Sequence, residues 1–183
     1  MKENIRIYFV RHGETAWNEK DLICGTTDLP LTEKGRCQAM EAAEAIRQKL
    51  KEGARIDAII HSPLLRAKET AACIHEVTGI PMREDGRLAE QDFGEFEGKT
   101  RLSDAFRASK RRFADDYGGG ESLLRLAQRV YNLLDELLGE GDQAYLLVAH
   151  NGIARMTHSY FNSLNNDEYA SYRLGNGEVA EYS

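Results

Sequence analysis

Two histidines follow apolar stretches of this chain in a similar way. His12 comes after Ile5–Val10 with Arg11 between them, and His150 comes directly after Tyr145–Ala149. A glycine follows each histidine within two residues. An imidazole can act as a nucleophile or as an acid or base near neutral pH, and the donor fork of an arginine matches the geometry of a phosphate group. The spacing therefore indicates chemistry on an anion, provided that the two histidines meet in the fold.

A third apolar stretch ends in the same manner and adds a second arginine. Asp57–Ile60 is followed by His61-Ser62-Pro63, and Arg66 comes shortly afterwards. If the three stretches are parallel strands of one sheet, their carboxyl ends lie at the edge where such sheets bind ligands. Two arginines and two histidines would then surround one anion, and helix N-termini would add backbone donors. Each of these residues alone is more often structural, so the prediction depends on their convergence.

The elements that must position these residues alternate along the chain. The three stretches are short, apolar and bounded by turn residues, as expected of buried strands. Thr32 is a predicted N-cap for a helix that runs to about Lys51, and further helices are predicted over Leu64–Val77 and Glu121–Leu138. Alternating strands and helices predict an α/β fold, a three-layer sandwich in which helices flank a mostly parallel central sheet.

The remaining segments have weaker patterns. Pro81–Thr100 is predicted to be irregular, and residues 101–116 have only a weak helical pattern. Residues 86–120 are the predicted small cap insertion over the site, and Gly177–Ser183 is a predicted edge strand. No linker or change of composition divides the chain, so a single domain over residues 1–183 is predicted.

The composition excludes several classes of protein and partner. Hydrophobic residues make up 42% and charged residues 30% of the chain, which is typical of a folded globular protein rather than a disordered one. The formal net charge of −6 argues against nucleic acid and anionic membrane as partners, and a small anionic substrate remains. Three scattered cysteines without metal-ligand spacing predict free thiols in a reducing compartment, so a cytoplasmic protein is expected.

The sequence lacks the motifs of other classes of enzyme that act on phosphate groups. A cysteine-dependent phosphatase needs an arginine six positions after its cysteine, but those positions hold Pro30, Ala43 and Gly79. Asp-x-Asp, the phosphate loop GxxxxGK[ST] and the GxSxG motif are absent as well. Arginines beside the histidines would repel a metal ion, so neither a metal nor a cofactor is expected. A histidine nucleophile remains.

The sequence resembles the histidine phosphatase (phosphoglycerate mutase-like) superfamily in a series of motifs that together cover nearly the whole chain. RHG alone would be a weak signal, but the ordered series is specific. The motifs are Arg11–Asn18 (RHGETAWN), Pro30–Gly35 (PLTEKG), Ser62–Thr70 (SPLLRAKET), Leu88–Glu90 (LAE), Gly120–Ser122 (GES) and Val148–Gly152 (VAHNG).

The resemblance implies a role for each matching residue of the site. His12 would be the nucleophile that becomes phosphorylated, and nearby arginines would keep it neutral by lowering its pKa. Arg11, Arg66 and His150 would hold the phosphoryl oxygens and stabilise charge in the transition state. Glu90 would protonate the leaving group and then activate water. Two further phosphate-binding residues are implied, Asn18 and Asn151, the latter through its backbone amide.

The resemblance is closer to the phosphatase branch than to the mutase branch. Mutases carry extra basic residues near the acid motif to hold a bisphosphorylated sugar acid, whereas Glu90–Gly98 contains four carboxylates and no basic residue. The implied function is a phosphomonoester hydrolase that acts on a small phosphorylated metabolite through a phosphohistidine. Two alternatives stay open: phosphotransfer of the phosphoglycerate mutase type, and a catalytically inactive binding or regulatory member of the family. The complete set of site residues favours an enzyme, but no residue names the leaving group.

Overall fold

A five-stranded sheet carries the three strand ends that the sequence singles out. The computed structural model describes residues 6–109 and 112–183. Within them the strand order is β3-β2-β4-β1-β5, in which β5 is antiparallel to β1 and the other neighbours are parallel. The strands are β1 (Ile7–Arg11), β2 (Ala58–His61), β3 (Met82–Glu84), β4 (Tyr145–Ala149) and β5 (Val179–Tyr182).

Helices connect these strands, and several begin or end at the predicted signals. Thr32 caps the first long helix by accepting a hydrogen bond from the Gly35 N–H at 3.0 Å. Gly79 ends the next long helix in a left-handed conformation with φ of 73°, as expected of a C-terminal glycine. No helix of the described ranges is long and apolar enough to cross a membrane. The described helices are α1 (Ala16–Glu19), α2 (Glu33–Lys51), α3 (Leu65–Thr78), α4 (Asp104–Ser109), α5 (Leu123–Gly139), α6 (Asn151–Phe161) and α7 (Asn166–Ser171).

The sheet has a separate hydrophobic core on each face. Side chains alternate along β1, so that Ile7 and Phe9 pack with the apolar faces of α5 and α6. Tyr8 and Val10 point to the opposite face and pack with α2 and α3. All four side chains are buried. The predicted three-layer α/β sandwich with a mostly parallel sheet is confirmed.

The predictions for the two edge strands of the sheet differ in their agreement with the structure. The prediction of an irregular segment is wrong at its start, because Met82–Glu84 forms β3 and pairs in parallel with β2. This edge strand pairs on one side only and its side chains are partly exposed, so its sequence lacks the apolar pattern of a buried strand. The predicted C-terminal edge strand is confirmed as β5. Ile5, in the first predicted strand, and residues 110–111, in the predicted cap, lie outside the described residues.

The predicted cap packs around a small aromatic cluster of its own. Phe93 makes edge-to-face contacts with Phe106 and Tyr117, with ring centroids 5.5 and 5.7 Å apart. Phe96 packs against the same cluster, which also includes Ile23 from the segment after α1. The cap therefore packs against Ile23, in the segment that follows the first motif, Arg11–Asn18.

Candidate active site

The carboxyl ends of β1 and β4 bring the two predicted histidines together at one edge of the sheet. Arg11 pairs in register with Ala149, and the backbone N–H of His12 donates to the Ala149 carbonyl at 2.9 Å. The rings of His12 and His150 are consequently close, with centroids 5.0 Å apart. β2 lies on the other side of β4 and delivers Ser62 to the same edge.

The His12 ring has a defined tautomer. Its Nδ1 lies 2.6 Å from the Gly13 carbonyl oxygen, which can only accept, so Nδ1 carries the proton and Nε2 presents a lone pair. Burial lowers the pKa of His12 well below its usual value, and the guanidinium groups of Arg66 and Arg11 lower it further. A neutral imidazole with an unused Nε2 has the form that a histidine nucleophile requires.

The His150 ring has the same tautomer. Its Nε2 lies 2.7 Å from the Ser62 hydroxyl, which also accepts the Leu64 N–H at 3.2 Å. Within the described residues, His150 Nε2 is the acceptor in reach of the buried Ser62 hydroxyl hydrogen, so we assign the ring proton to Nδ1. Burial and Arg66 lower the pKa of His150. The neutral ring therefore offers one N–H donor, at a nitrogen with no partner in the described protein.

Arg11 and Arg66 are fixed by backbone carbonyls. Arg11 donates from Nη1 to the Leu174 carbonyl at 2.7 Å. Arg66 is fully buried and donates to the carbonyls of Thr27 at 2.9 Å and Gly25 at 2.7 Å. The Nε atoms of both arginines are buried and have no hydrogen-bond partner in the described protein. The site thus holds two oriented guanidinium groups with unused donors.

Glu97 organises the loop that holds Arg66. Its carboxylate accepts hydrogen bonds from the backbone N–H groups of Gly25 and Thr26, each at 3.1 Å, and from the Thr27 hydroxyl at 2.8 Å. A Cβ at position 25 would overlap this carboxylate, which explains the glycine. The sequence analysis counted Glu97 only as one of four neighbouring carboxylates and missed this positioning role, for which the sequence contains no local signal.

Glu90 is held beside the N-terminus of α6. Its carboxylate accepts from the N–H groups of Gln91 at 2.9 Å and Gly152 at 3.0 Å. A Cβ at position 152 would overlap the Glu90 carboxylate, so this close approach needs glycine. Arg129 on α5 donates to the Glu90 carbonyl at 3.4 Å and forms a two-pronged ion pair with Glu121 at 2.7 Å. The glutamate of the GES motif therefore helps to position Glu90.

The two predicted asparagines lie at the site, but their side chains are engaged in local structure. Asn18 accepts through Oδ1 from the Thr15 N–H at 3.1 Å and from Asn176 at 3.3 Å. Asn151 accepts through Oδ1 from the Leu174 N–H at 3.0 Å. Asn151 is also the first residue of α6, where backbone N–H groups lack intrahelical acceptors and favour anions.

A cavity of about 260 Å³ adjoins these residues. Arg11, Asn18, Glu90 and Asn151 line it, whereas His12, Arg66 and His150 are buried next to Arg11 and do not line it themselves. Outside residues 1–5 and 110–111, no group of three or more His, Cys, Asp or Glu side chains is placed to hold a metal ion.

The cavity contains basic residues that the sequence analysis missed. The Glu90–Gly98 stretch has no basic residue, but arginines from the cap, from α6 and from the segment before β5 reach the same cavity. The sequence argument against a mutase examined one stretch, whereas the fold supplies charge from others. The additional arginines are Arg101, Arg107, Arg155 and Arg173.

Comparison with known proteins agrees with this geometry. The sequence model of the histidine phosphatase superfamily (branch 1) matches residues 7–183. The chain belongs to the histidine phosphatase superfamily. The resemblance inferred from the motifs is therefore confirmed.

Relatives within the superfamily include phosphatases and a mutase-like protein. The chain is 36% identical over 157 residues to a probable phosphoglycerate mutase, GpmB, of Salmonella choleraesuis (strain SC-B67), covering 82% of this chain and 71% of GpmB. Mycobacterial glucosyl-3-phosphoglycerate phosphatase, solved as a complex with VO3, has a TM-score of 0.84 and 30% identity over 98% of this chain and 91% of its own. A structure described as mycobacterial hydrolase 1 has a TM-score of 0.81 and 30% identity, over 97% of this chain and 88% of that chain.

Proposed function

We propose that this histidine phosphatase family member hydrolyses a small phosphomonoester through a phosphohistidine at His12. One observation carries the proposal. In the described part of the chain, five buried side-chain nitrogen or oxygen atoms have no hydrogen-bond partner, and three of them are N–H groups of Arg11, Arg66 and His150. Buried donors without acceptors are costly, so their convergence beside a neutral nucleophile favours a bound anion. A phosphoryl group would accept hydrogen bonds from all three.

The proposed reaction has two steps. In the first, His12 Nε2 attacks phosphorus, the P–O bond to the leaving group breaks, and Glu90 in its acid form gives a proton to the leaving oxygen. In the second, Glu90 takes a proton from water, the water oxygen attacks phosphorus, and the P–N bond breaks to release inorganic phosphate. The donors of Arg11, Arg66 and His150 stabilise the charge on the phosphoryl oxygens in both steps.

Phosphotransfer of the mutase type is the second candidate. The arginine-lined cavity and the similarity to a probable phosphoglycerate mutase favour it. The similarity to a phosphatase over 98% of the chain and the absence of basic residues from Glu90–Gly98 favour hydrolysis. Incubation with a phosphoglycerate distinguishes the two, because a phosphatase releases inorganic phosphate whereas a mutase forms the isomeric phosphoglycerate.

The covalent intermediate gives the direct test. Rapid base quenching during turnover of a phosphomonoester radiolabelled in its phosphoryl group should trap a label on the protein that is stable to base and is lost on later exposure to acid, as a phosphoramidate is. We expect His12→Ala to abolish both the label and turnover. His158→Asn, which alters a histidine outside the cavity lining, is the matched control and should retain both. A label of undiminished yield in His12→Ala would assign the nucleophile elsewhere.

A further inference from the structure

We propose that Asn176 is a positioning residue of the active site, which directs the side-chain amide of Asn18 at the phosphoryl group bound beside His12. The proposal rests on the proposed phosphatase function and deepens it, because it adds a residue that acts through another. Asn176 lies in the segment before β5, and none of the motifs that carry the family resemblance includes it.

Asn176 lies in a turn whose own geometry does not require an asparagine. The Glu178 N–H donates to the Gly175 carbonyl at 3.1 Å, and Gly177 has a left-handed φ of 76°. These are the features of a type II turn, in which the third residue is usually glycine and the second is often proline. Asn176 is the second residue. The turn therefore explains Gly177 but not the carboxamide before it.

The turn and the residue before it hold the end of β1 through three contacts. The Gly177 N–H donates to the Arg11 carbonyl at 2.9 Å, and the Leu174 carbonyl accepts from Arg11 Nη1 at 2.7 Å. Asn176 Nδ2 donates to the His12 carbonyl at 2.9 Å. Because the first two contacts use backbone groups of the segment, loss of the Asn176 side chain should leave the turn attached to β1.

The same nitrogen of Asn176 also binds the side chain of Asn18. It lies 3.3 Å from Asn18 Oδ1, which accepts the Thr15 N–H at 3.1 Å as well. An amide nitrogen has two hydrogens, one for His12 and one for Asn18. Reversal of the Asn18 amide would turn its NH2 group towards two donors, so Oδ1 faces these donors and Nδ2 faces away from them. Asn18 lines the cavity, where its NH2 group is then available to a ligand.

An NH2 group in this place suits a phosphoryl oxygen. A phosphomonoester dianion presents only acceptors, so an Asn18 amide turned the other way would bring an oxygen towards it and repel it. Asn176 therefore determines which end of the Asn18 amide faces the ligand. Because one nitrogen binds both oxygens, it also holds that amide next to the backbone of His12.

Two substitutions separate the amide of Asn176 from the turn. Asn176→Ala and Asn176→Pro both remove the amide, but proline fits the second position of a type II turn and restricts the unfolded chain. Asn176→Pro should therefore unfold at a higher urea concentration than Asn176→Ala. Both should lower kcat/KM for p-nitrophenyl phosphate by about 10-fold, the scale of a lost hydrogen bond. Wild-type kcat/KM in Asn176→Pro would overturn the proposal, because the turn would then be sufficient.

Asn162 provides a matched control for the loss of an asparagine amide. Its Nδ2 donates to the His158 carbonyl at 3.0 Å, a contact like that of Asn176 with His12, but Asn162 does not line the active-site cavity. Asn162→Ala should leave kcat/KM unchanged. A loss of about 10-fold in this variant as well would overturn the assignment of the effect to positioning in the site.

A double-mutant cycle shows whether Asn176 acts through Asn18. Asn176→Pro should lower kcat/KM by about 10-fold in the wild type but by no more than about 3-fold in the Asn18→Ala background. A merely structural effect of the substitution lowers kcat/KM by the same factor in both backgrounds. Equal factors would therefore overturn the proposal.

Binding of inorganic phosphate tests the same contact without turnover. Calorimetric titration should give a Kd about 10-fold higher for Asn176→Pro than for the wild type, and the difference should shrink in the Asn18→Ala background. If the wild type hydrolyses no phosphomonoester but the titration shows this coupling, the proposed function fails and the positioning role stands. If the wild type is active and neither kcat/KM nor Kd changes in Asn176→Pro, the positioning role fails and the proposed function stands.

Discussion

Glu90 is distinguished from its acidic neighbours Asp92, Glu95 and Glu97 because it alone among the four lines the cavity. Its carboxylate accepts from the N–H groups of Gln91 and Gly152, and it lines the cavity, whereas Glu95 in the same stretch is exposed outside the cavity. The contact with Gly152 holds the carboxylate at the N-terminus of α6. This placement suits a group that exchanges a proton with the leaving oxygen and then with water.

Glu90→Gln should therefore lower kcat/KM more for substrates whose leaving group is more basic. An alkoxide needs the proton, so kcat/KM for an alkyl phosphate should fall by about 10²–10⁴. p-Nitrophenolate leaves without that help, so kcat/KM for p-nitrophenyl phosphate should fall much less. The comparison must use kcat/KM or burst kinetics, which report the first chemical step. Glu95→Gln should be neutral for both substrates, and equal losses in Glu90→Gln would remove Glu90 as the acid.

The sequence predicts the residues of this site better than their surroundings. His12 and His150 directly follow β1 and β4, Arg11 is the last residue of β1, and Arg66 lies in the first turn of α3, the helix after β2. Parallel-sheet geometry is therefore sufficient to bring these residues to one edge. Arg155 and Arg173 give no such signal. One lies on a helix and the other on an irregular segment, and either would ordinarily be interpreted as a solvated charge. Tertiary contacts with the backbone carbonyls of Tyr172 and Leu174 place both arginines at the cavity, and a local sequence pattern does not show such contacts.

At the scale of elements, the loop of Gly25–Thr27 depends on the cap. Glu97 holds three consecutive residues of the loop, and the carbonyls of two of them hold Arg66. The cap thereby influences Arg66, the proposed phosphate-binding arginine, through the loop. Loss of the Glu97 carboxylate should consequently weaken the binding of every phosphomonoester by a similar factor.

Glu97→Gln tests this connection. Loss of the carboxylate leaves the loop N–H groups poorly satisfied and lets Arg66 shift, which should lower kcat/KM by about 10²-fold, the scale of a small misplacement in an active site. The loss should be the same for alkyl phosphates and for p-nitrophenyl phosphate, in contrast to Glu90→Gln. Glu95→Gln again serves as the control. A loss that depended on the leaving group would place Glu97 in proton transfer instead of positioning.

Elements with strong periodicity are predictable from the sequence, and short elements are not. α2, α3 and α5 follow from amphipathic patterns with caps at one or both ends, because a long helix repeats its signal over several turns. β3 has three residues and one pairing partner, and α1 and α7 have four and six residues. Contacts with neighbouring segments determine such elements, so their own sequences carry little information.

At the scale of the whole molecule, the burial of two neutral histidines links stability to pH. Burial is the chief cause that lowers the pKa of both His12 and His150 well below the usual value. Between that lowered pKa and the unfolded value of about 6.5, the unfolded chain binds protons that the folded protein does not. The free energy of unfolding should therefore fall as the pH falls below about 6.5.

His12→Asn should weaken this dependence. Each such histidine contributes up to about 1.4 kcal/mol per pH unit to the slope, so removal of one should reduce the loss of stability between about pH 7 and pH 5.5 by about 1 kcal/mol. Urea titrations of the wild type and of His12→Asn at both pH values measure this difference. Any constant cost of the substitution cancels in the comparison. Identical losses in the two proteins would mean that His12 is not held neutral in the fold.

The position of β1 between β4 and β5 has a consequence during synthesis. β1 leaves the ribosome before both of its pairing partners, because residues 12–144 separate it from β4 and β5 comes later still. The strands β2 and β3 and the helices α2 and α3 can meet in the nascent chain while β1 has no neighbour on either side. An apolar strand with two open edges attracts other chains and chaperones. The proposed nucleophile, His12, is thus attached to the strand that waits longest for its pairing partners, and the site around it can form only after β4 and β5 have been synthesised.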